Sequence, residues 1–158
     1  MQTKDFSYRV LSPILPLQLS IEKPKDNRKY PKEIITVGDK FKQLRLDIKL
    51  TQIEVAKQLS VNKNFVTELE NNKRKLTIFA LHKACAFLGY IPKTLNFDES
   101  KLQGKLFAYR IKNGLTYSNL SKEIGLDKST LSRFEKGDNL NSESLLKITN
   151  YLKNVTHS

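Results

Sequence analysis

Two short segments of this sequence carry matching clusters of side chains that can form several hydrogen bonds at once. The first cluster is Lys63, Asn64, Thr67 and Glu68, and the second is Lys128, Ser129, Ser132 and Arg133. Each occupies positions i, i+1, i+4 and i+5, which form two pairs of neighbours on a helix, i with i+4 and i+1 with i+5. Lysine and arginine can donate to guanine N7 and O6, asparagine can pair with adenine, and glutamate can accept from cytosine N4. The clusters are therefore chemically suited to contact base edges.

The two clusters belong to an internal repeat. A shift of 65 positions places KLTQIEVAKQLSVNKNFVTELEN, which starts at Lys49, on GLTYSNLSKEIGLDKSTLSRFEK. Apolar positions coincide along this stretch, as where Val55 falls on Leu120, and Glu70 falls on Glu135. Chance rarely keeps apolar positions in phase for so long, so the chain is best described as a duplication.

Each copy predicts four short helices. Apolar spacing and capping residues place them at 39–48, 51–59, 62–70 and 77–88 in the first copy, and at 102–112, 116–124, 128–135 and 142–152 in the second. We expect capping boxes at Thr51 with Glu54 and at Ser100 with Gln103. Asn62 and Asp127 are expected to cap the third helix of each copy.

The fold class that follows is all-α, with two small four-to-five-helix domains in tandem. We expect an extended N-terminal arm at 1–36, a first domain at 37–90, a linker at 91–100 and a second domain at 101–158. The arm contains four prolines, which argue against regular structure there. The expected core of the first domain is Phe41, Leu44, Val55, Leu59, Val66, Leu69, Leu81 and Leu88.

Charge and cysteine content narrow the function. Lys and Arg outnumber Asp and Glu by 28 to 16, which gives a net charge of +12 and favours polyanionic partners. Cys85 is the only cysteine, so no intramolecular disulfide can form, as is usual in a reducing compartment. The N-terminus makes a poor signal peptide, and the apolar stretch 78–91 is too short to span a bilayer. We therefore expect a cytoplasmic protein without membrane association.

No constellation of residues predicts catalysis. His82 lies in an apolar segment and is better explained as a half-buried core residue than as a base, and His157 is near the end of the chain. The single thiol leaves no Cys/His metal spacing, and there is no glycine-rich phosphate loop. We expect a protein that is not an enzyme and that has no metal or other cofactor.

The repeated segments resemble a known motif. TQIEVAKQLSVNKNFVTELENN resembles the helix-turn-helix of the Xre/Cro/lambdoid-repressor family, and TYSNLSKEIGLDKSTLSRFEKG is similar to it. The segment YPKEIITVGDKFKQLRLDIKLTQ also resembles the opening of tandem-motif bacterial regulators found near mobile elements. The resemblance covers residues 37–153. It implies lambda-repressor-like domains that bind double-stranded DNA and regulate transcription, with the third helix of each repeat in the major groove.

The resemblance also gives roles to single residues. The two clusters would read bases, although they could instead be the solvated face of a short helix. Gln52 would grip a phosphate at the start of the second helix, where the second repeat departs from the pattern with Tyr117. Further candidates for phosphate contact are Arg45, which matches Arg110, and the basic loop residues Lys73, Arg74 and Lys75.

Two parts of the prediction stay open. In the arm, Lys23, Lys25, Arg28 and Lys29 could enter a minor groove, or Phe6, Tyr8 and Leu17 could dock on a partner protein or on a second copy in a homodimer. The alternative function is a protein-interaction module, antitoxin-like or an accessory subunit, that keeps the fold with weak or no DNA binding. Net charge and Arg133 favour DNA, whereas Tyr117 and Glu68 favour the alternative.

Overall fold

A computed structural model of the chain describes residues 30–156, and this part is helical without any β-strand. The first four helices are α1 (Val37–Asp47), α2 (Gln52–Gln58), α3 (Lys63–Glu70) and α4 (Ile78–Leu88). One turn of 3-10 helix at Lys93–Leu95 precedes α5 (Leu102–Asn113), α6 (Tyr117–Ile124), α7 (Lys128–Glu135) and α8 (Ser142–Thr156). The all-α prediction is confirmed. Helix limits lie within two residues of those expected, except that α8 continues beyond 152.

Local hydrogen bonds start α2 and α3 where the sequence predicts. The Thr51 hydroxyl accepts from the Glu54 N–H at 3.2 Å, and the Glu54 carboxylate accepts from the Thr51 N–H at 2.6 Å. The Asn62 side chain accepts from the Phe65 N–H at 2.7 Å. These bonds satisfy N–H groups that have no partner within the first turn of a helix.

The second repeat begins its helices differently from our expectation. The capping box of Ser100 with Gln103 is wrong, because α5 is preceded by Lys101, which makes no side-chain capping bond. The N–H and the hydroxyl of Ser100 both donate to Asp98 Oδ1, at 3.0 and 2.6 Å. A carboxylate two residues away thus competes successfully for the serine. Asp127 does stand at the start of α7, but its side chain makes no capping bond.

The first repeat closes around the expected core. Of the eight predicted core residues, Leu44 alone is half-buried, and the others are buried. Phe41 is fully buried and packs on Phe87 with ring centroids 4.5 Å apart. α3 packs against both α1 and α2, so its position is set by two helices.

The second repeat has its own core, to which α5, α6, α7 and α8 contribute. Its buried members are Leu106, Leu120, Ile124, Leu131, Phe134, Ile148 and Leu152. α7 packs against α5 and α6, and α8 packs against the same two helices. The third helix is therefore held in the same way as in the first repeat.

The described residues fall into two compact units. The first extends to Lys75 and includes Lys83–Thr94, and the second contains Leu76–His82 and the chain from Leu95 onward. The domain limits of 37–90 and 101–158, with a linker at 91–100, stay a prediction.

Most of the expected arm lies outside the described residues. This includes the basic positions Lys23, Lys25, Arg28 and Lys29 and the apolar positions Phe6, Tyr8 and Leu17, so their suggested contacts stay predictions. The described end of the arm contacts α1, because the Tyr30 hydroxyl donates to Asp47 at 3.1 Å.

α1 starts at a capping box of Thr36 with Asp39, which is also bonded to the loop after α3. The Thr36 hydroxyl donates to the Asn72 side chain at 2.7 Å, and the Asn72 amide donates to Asp39 at 3.0 Å. The backbones approach so closely that a Cβ atom on Gly38 would lie 2.1 Å from the Leu69 carbonyl oxygen. Only glycine fits at this crossing.

Replacement of Gly38 by alanine should therefore force α1 away from the end of α3. We expect Gly38→Ala to lower the free energy of unfolding by about 2 kcal/mol or more, as measured by urea denaturation. Lys40→Ala on the same helix is the control and should change the free energy of unfolding by less than about 0.5 kcal/mol. Equal stability of the two variants would contradict the close approach.

Candidate nucleic-acid interface

Both predicted clusters lie on the outer face of the third helix of their repeat. The inner faces are formed by Phe65, Val66, Leu69 and Glu70 on α3, and by Leu131 and Phe134 on α7. Of the cluster residues, Lys63, Asn64, Glu68, Lys128, Ser129 and Arg133 are exposed, and Thr67 and Ser132 are half-buried. Helical periodicity thus leaves a row of donors and acceptors on each third helix, facing away from its core.

Glu68 is engaged by the loop that follows α3. Arg74 Nη1 lies 2.6 Å from Glu68 Oε2, and the Arg74 guanidinium stacks 4.1 Å from the centroid of the Phe65 ring. The loop also closes on the helix through the backbone, because the Lys73 N–H donates to the Glu68 carbonyl at 2.9 Å. The basic loop is therefore anchored beside the first cluster, and Lys73 and Lys75 are exposed there.

The centre of the first repeat is a buried ion pair between α1 and the end of α3. Arg45 Nε and Nη2 donate to the two carboxylate oxygens of Glu70, at 2.5 and 2.8 Å. Arg45 Nη1 donates to the Leu50 carbonyl at 2.9 Å. Only 8% of Arg45 is exposed. These inward bonds occupy the guanidinium, and the predicted phosphate contact of Arg45 stays a prediction.

Gln52, at the start of α2, is held by this ion pair. Its Nε2 donates to Glu70 Oε2 at 2.8 Å, and its Oε1 accepts from the Thr67 hydroxyl at 3.0 Å. A carboxamide nitrogen carries two hydrogens, so one N–H remains beyond the bond to Glu70. The side chain is half-buried and fixed at both ends. The Gln52 carboxamide is therefore held in place with one N–H still available to donate a hydrogen bond.

A cationic cavity of about 620 Å³ lies next to Gln52. Its lining includes Lys42 and Lys49 from α1 and the following turn, and Lys63 from the first cluster. The sequence analysis missed Lys42 and Lys49. The signal that could have found Lys42 is its spacing of three residues from Arg45 on α1, whereas Lys49 lies in the turn after the helix, where helical spacing gives no signal.

The second repeat builds its centre with a different set of bonds. Arg110 Nη1 lies 2.5 Å from Glu135 Oε2, and Arg110 Nε donates to the Leu115 carbonyl at 3.1 Å. The guanidinium stacks on the Tyr117 ring at 3.5 Å from its centroid. Glu135 Oε1 is buried and has no hydrogen-bond partner among the described residues. The carboxylate is thus held through one oxygen here and through two in the first repeat.

Tyr117 occupies the position of Gln52 but has a different capacity to donate. Its hydroxyl donates to Glu135 Oε2 at 2.8 Å. A phenol carries one hydrogen, so this bond uses the donor that a phosphate would need. Burial, and then the charge of Glu135, raise the pKa of Tyr117, which keeps the phenol protonated. The predicted phosphate contact of Tyr117 therefore requires the bond to Glu135 to break.

Other reactive side chains are in structural positions. His82 is half-buried and its Nδ1 lies 2.9 Å from the Ile111 carbonyl oxygen. Burial raises the pKa of Cys85 to about 12, so its thiol is a poor nucleophile. Between residues 30 and 156, no group of three or more His, Cys, Asp and Glu side chains could hold a metal ion. None of the helices described here is long and apolar enough to cross a membrane.

Comparison with protein families agrees with this geometry. A helix-turn-helix family model matches the chain twice, at residues 41–94 and 106–158. The chain therefore belongs to the Xre/Cro-type helix-turn-helix family of DNA-binding regulators, and it carries the motif in tandem. Comparisons with curated proteins and with solved structures gave no significant match.

Two carboxylates, Glu135 and Glu143, have pKa values shifted in opposite directions, so their contributions to stability should change with pH in opposite directions. Burial raises the pKa of Glu135 above its ordinary 4.5, although Arg110 and Tyr117 oppose this. The folded state then binds this proton more tightly than the unfolded state, so the contribution of Glu135 to stability is largest at low pH and falls as pH rises above about 4.5. We expect the stability of the wild type relative to Glu135→Gln to decrease between about pH 4 and pH 7, in urea titrations.

Glu143 provides a control of opposite sign. Lys147, 2.8 Å away, lowers the pKa of this exposed carboxylate. The stability of the wild type relative to Glu143→Gln should therefore increase as pH rises toward about 4.5 and stay constant above it. A slope of the same sign for both variants would rule out the desolvated state of Glu135.

Proposed function

We propose that this protein is a sequence-specific regulator that binds double-stranded DNA and reads the major groove with α3 and α7. The main support is the outer face of these two helices, where each repeat presents a cluster of hydrogen-bonding side chains opposite its buried face. A helix held by two others, with polar groups along its outer face, has the shape and chemistry that a major groove accepts. The net charge of +12 supplies the sequence-independent attraction.

In this proposal the first repeat binds phosphate mainly through Gln52 and the lysines beside it. Gln52 offers one outward N–H, and Lys42 and Lys49 line the cavity next to it. Each lysine that neutralises a phosphate releases a condensed counterion, which makes binding depend on salt. Arg45 and Glu70 act by holding Gln52 in place.

The reading residues differ between the repeats, so we propose unequal contributions to specificity. Arg133 is exposed on α7 and can donate to both acceptors of a guanine. Glu68 on α3 shares its carboxylate with Arg74, which limits its repulsion of nearby phosphates. We therefore expect α7 to discriminate bases more strongly than α3.

Loss of Arg133 tests the assignment of α7. Arg133→Ala should weaken binding to the preferred duplex by about 1–3 kcal/mol and should relax base choice at one position, because a bidentate contact to guanine is lost. The preferred duplex would first be selected from a random pool, and affinities would be measured by fluorescence anisotropy.

The control for Arg133→Ala removes a charge of the same sign from a neighbouring helix. Lys122 is exposed on α6 and lies outside both clusters, so Lys122→Ala should leave base preference unchanged. Unchanged preference in Arg133→Ala would refute base reading by this residue. If selection enriches no site and binding does not depend on salt, the protein-interaction function is the better explanation.

Loss of Lys42 or Lys49 tests the phosphate site. Each alanine variant should weaken binding to all duplexes alike and should reduce the slope of log K against log salt by about 0.9, as expected for one phosphate contact. Lys57→Ala is the control, since Lys57 is exposed at the end of α2 and does not line the cavity. Slopes equal to that of the wild type in both lysine variants would exclude this cavity from DNA binding.

A further inference from the structure

The second repeat contains a cavity of about 520 Å³ beside the start of α5 and the start of α6. Its apolar lining comes from Leu95, Phe97, Phe107 and Tyr117. The Phe97 and Phe107 rings pack edge to face, with centroids 5.1 Å apart. The volume lies within the range of about 300–1,000 Å³ that is usual for small-molecule sites.

This cavity differs in charge from the one in the first repeat. The first is lined by four cationic side chains and one carboxylate, which are Lys42, Arg45, Lys49, Lys63 and Glu70. The second cavity is lined by two cationic side chains, Lys101 and Lys136, and by two carboxylates, Asp98 and Glu135. Across the repeat, Phe107 replaces Lys42 and Tyr117 replaces Gln52. A surface suited to phosphate in one repeat is therefore aromatic and without net charge in the other.

The loop after the third helix leaves the second cavity open. In the first repeat Asn72 bonds to Thr36 and Asp39 and fills the space beside the start of α1. The matching residue in the second repeat is Gly137, and a Cβ atom there would meet nothing within 4 Å. Gly137 lines the cavity and places no side chain in it, at the position where Asn72 bonds to the start of α1 in the first repeat.

Glu135 gives this cavity a specific acceptor. It forms part of the wall, its side chain is 5% exposed, and its Oε1 lacks a hydrogen-bond donor within the described part of the chain. Buried carboxylate oxygens normally have a donor, and the matching oxygen of Glu70 receives one from Arg45. A ligand ammonium group in the cavity is a donor of the kind that this oxygen lacks.

We infer that this cavity binds a small arylalkylamine, with its ring against Phe97 and Phe107 and its ammonium group on Glu135. The ring removes apolar surface of the wall from water, and the ammonium group gains both the carboxylate and the faces of the aromatic rings. This ligand site goes beyond the proposed function. It is tested without DNA, so that failure of the ligand site can be distinguished from failure of DNA binding.

The test uses the full chain labelled with ¹⁵N and three probes in separate titrations. The probes are 2-phenylethylamine, phenylacetate, which has the ring and an opposite charge, and butylamine, which has the charge and no ring. We expect 2-phenylethylamine to shift the amide signals of Phe97, Phe107 and Gly137 to saturation. The other two probes should bind at least about tenfold more weakly.

The first repeat supplies variants that this fold already accommodates. Phe107→Lys and Tyr117→Gln introduce the residues found at the aligned positions Lys42 and Gln52. Each should weaken binding of 2-phenylethylamine at least about fivefold. Leu146 is 59% exposed on α8, and Leu146→Lys adds the same charge there as Phe107→Lys adds in the cavity. Leu146→Lys should not change the binding of 2-phenylethylamine.

Several results would overturn the inference. These are the absence of saturable shifts with 2-phenylethylamine, equal binding of the three probes, and binding that survives both cavity variants. Saturable shifts at the cavity that are lost in Phe107→Lys and Tyr117→Gln, but kept in Leu146→Lys, would establish the site.

Discussion

Each repeat depends on a buried arginine–glutamate pair that ties its first helix to the end of its third. A buried ion pair stabilises a fold only when its remaining hydrogen bonds are made, and removal of one partner typically costs about 3–5 kcal/mol. In the first repeat, Arg45 satisfies both oxygens of Glu70. In the second, Arg110 reaches one oxygen of Glu135. Because the glutamate is the last residue of the third helix, the pair fixes the direction in which that helix presents its outer face.

The same pair decides what the start of the second helix can do. Glu70 accepts from Gln52 and leaves that carboxamide one further N–H. Glu135 accepts from Tyr117 and uses the single hydrogen of its hydroxyl. One substitution at an equivalent position thus removes the second donor that Gln52 has in the first repeat. The two repeats have the same order of helices but differ in the chemistry beside their third helices.

Divergence after duplication is most evident on the surface beside this pair. The first repeat has lysines there, and the second has aromatic side chains and a glycine in the loop after the third helix. Cores diverge slowly because a change of volume or polarity costs stability, whereas surface positions can change with little effect. Tandem domains of one family can therefore keep the same helices and differ in the surface beside their third helices.

The sequence alone determined the elements, since helical periodicity and capping depend on neighbours within about four residues. It located the eight helices, the core of the first repeat except Leu44, and the outer clusters, and its resemblance to the family was confirmed by the match over both repeats. The cap at Ser100 was wrong because Asp98 competes for it. Only the tertiary structure decided that Arg45 faces inward, that Lys42 and Lys49 join Gln52, and that Glu135 keeps one oxygen without a partner. These outcomes depend on contacts between residues far apart in the chain, and no local pattern encodes which donor reaches a buried carboxylate.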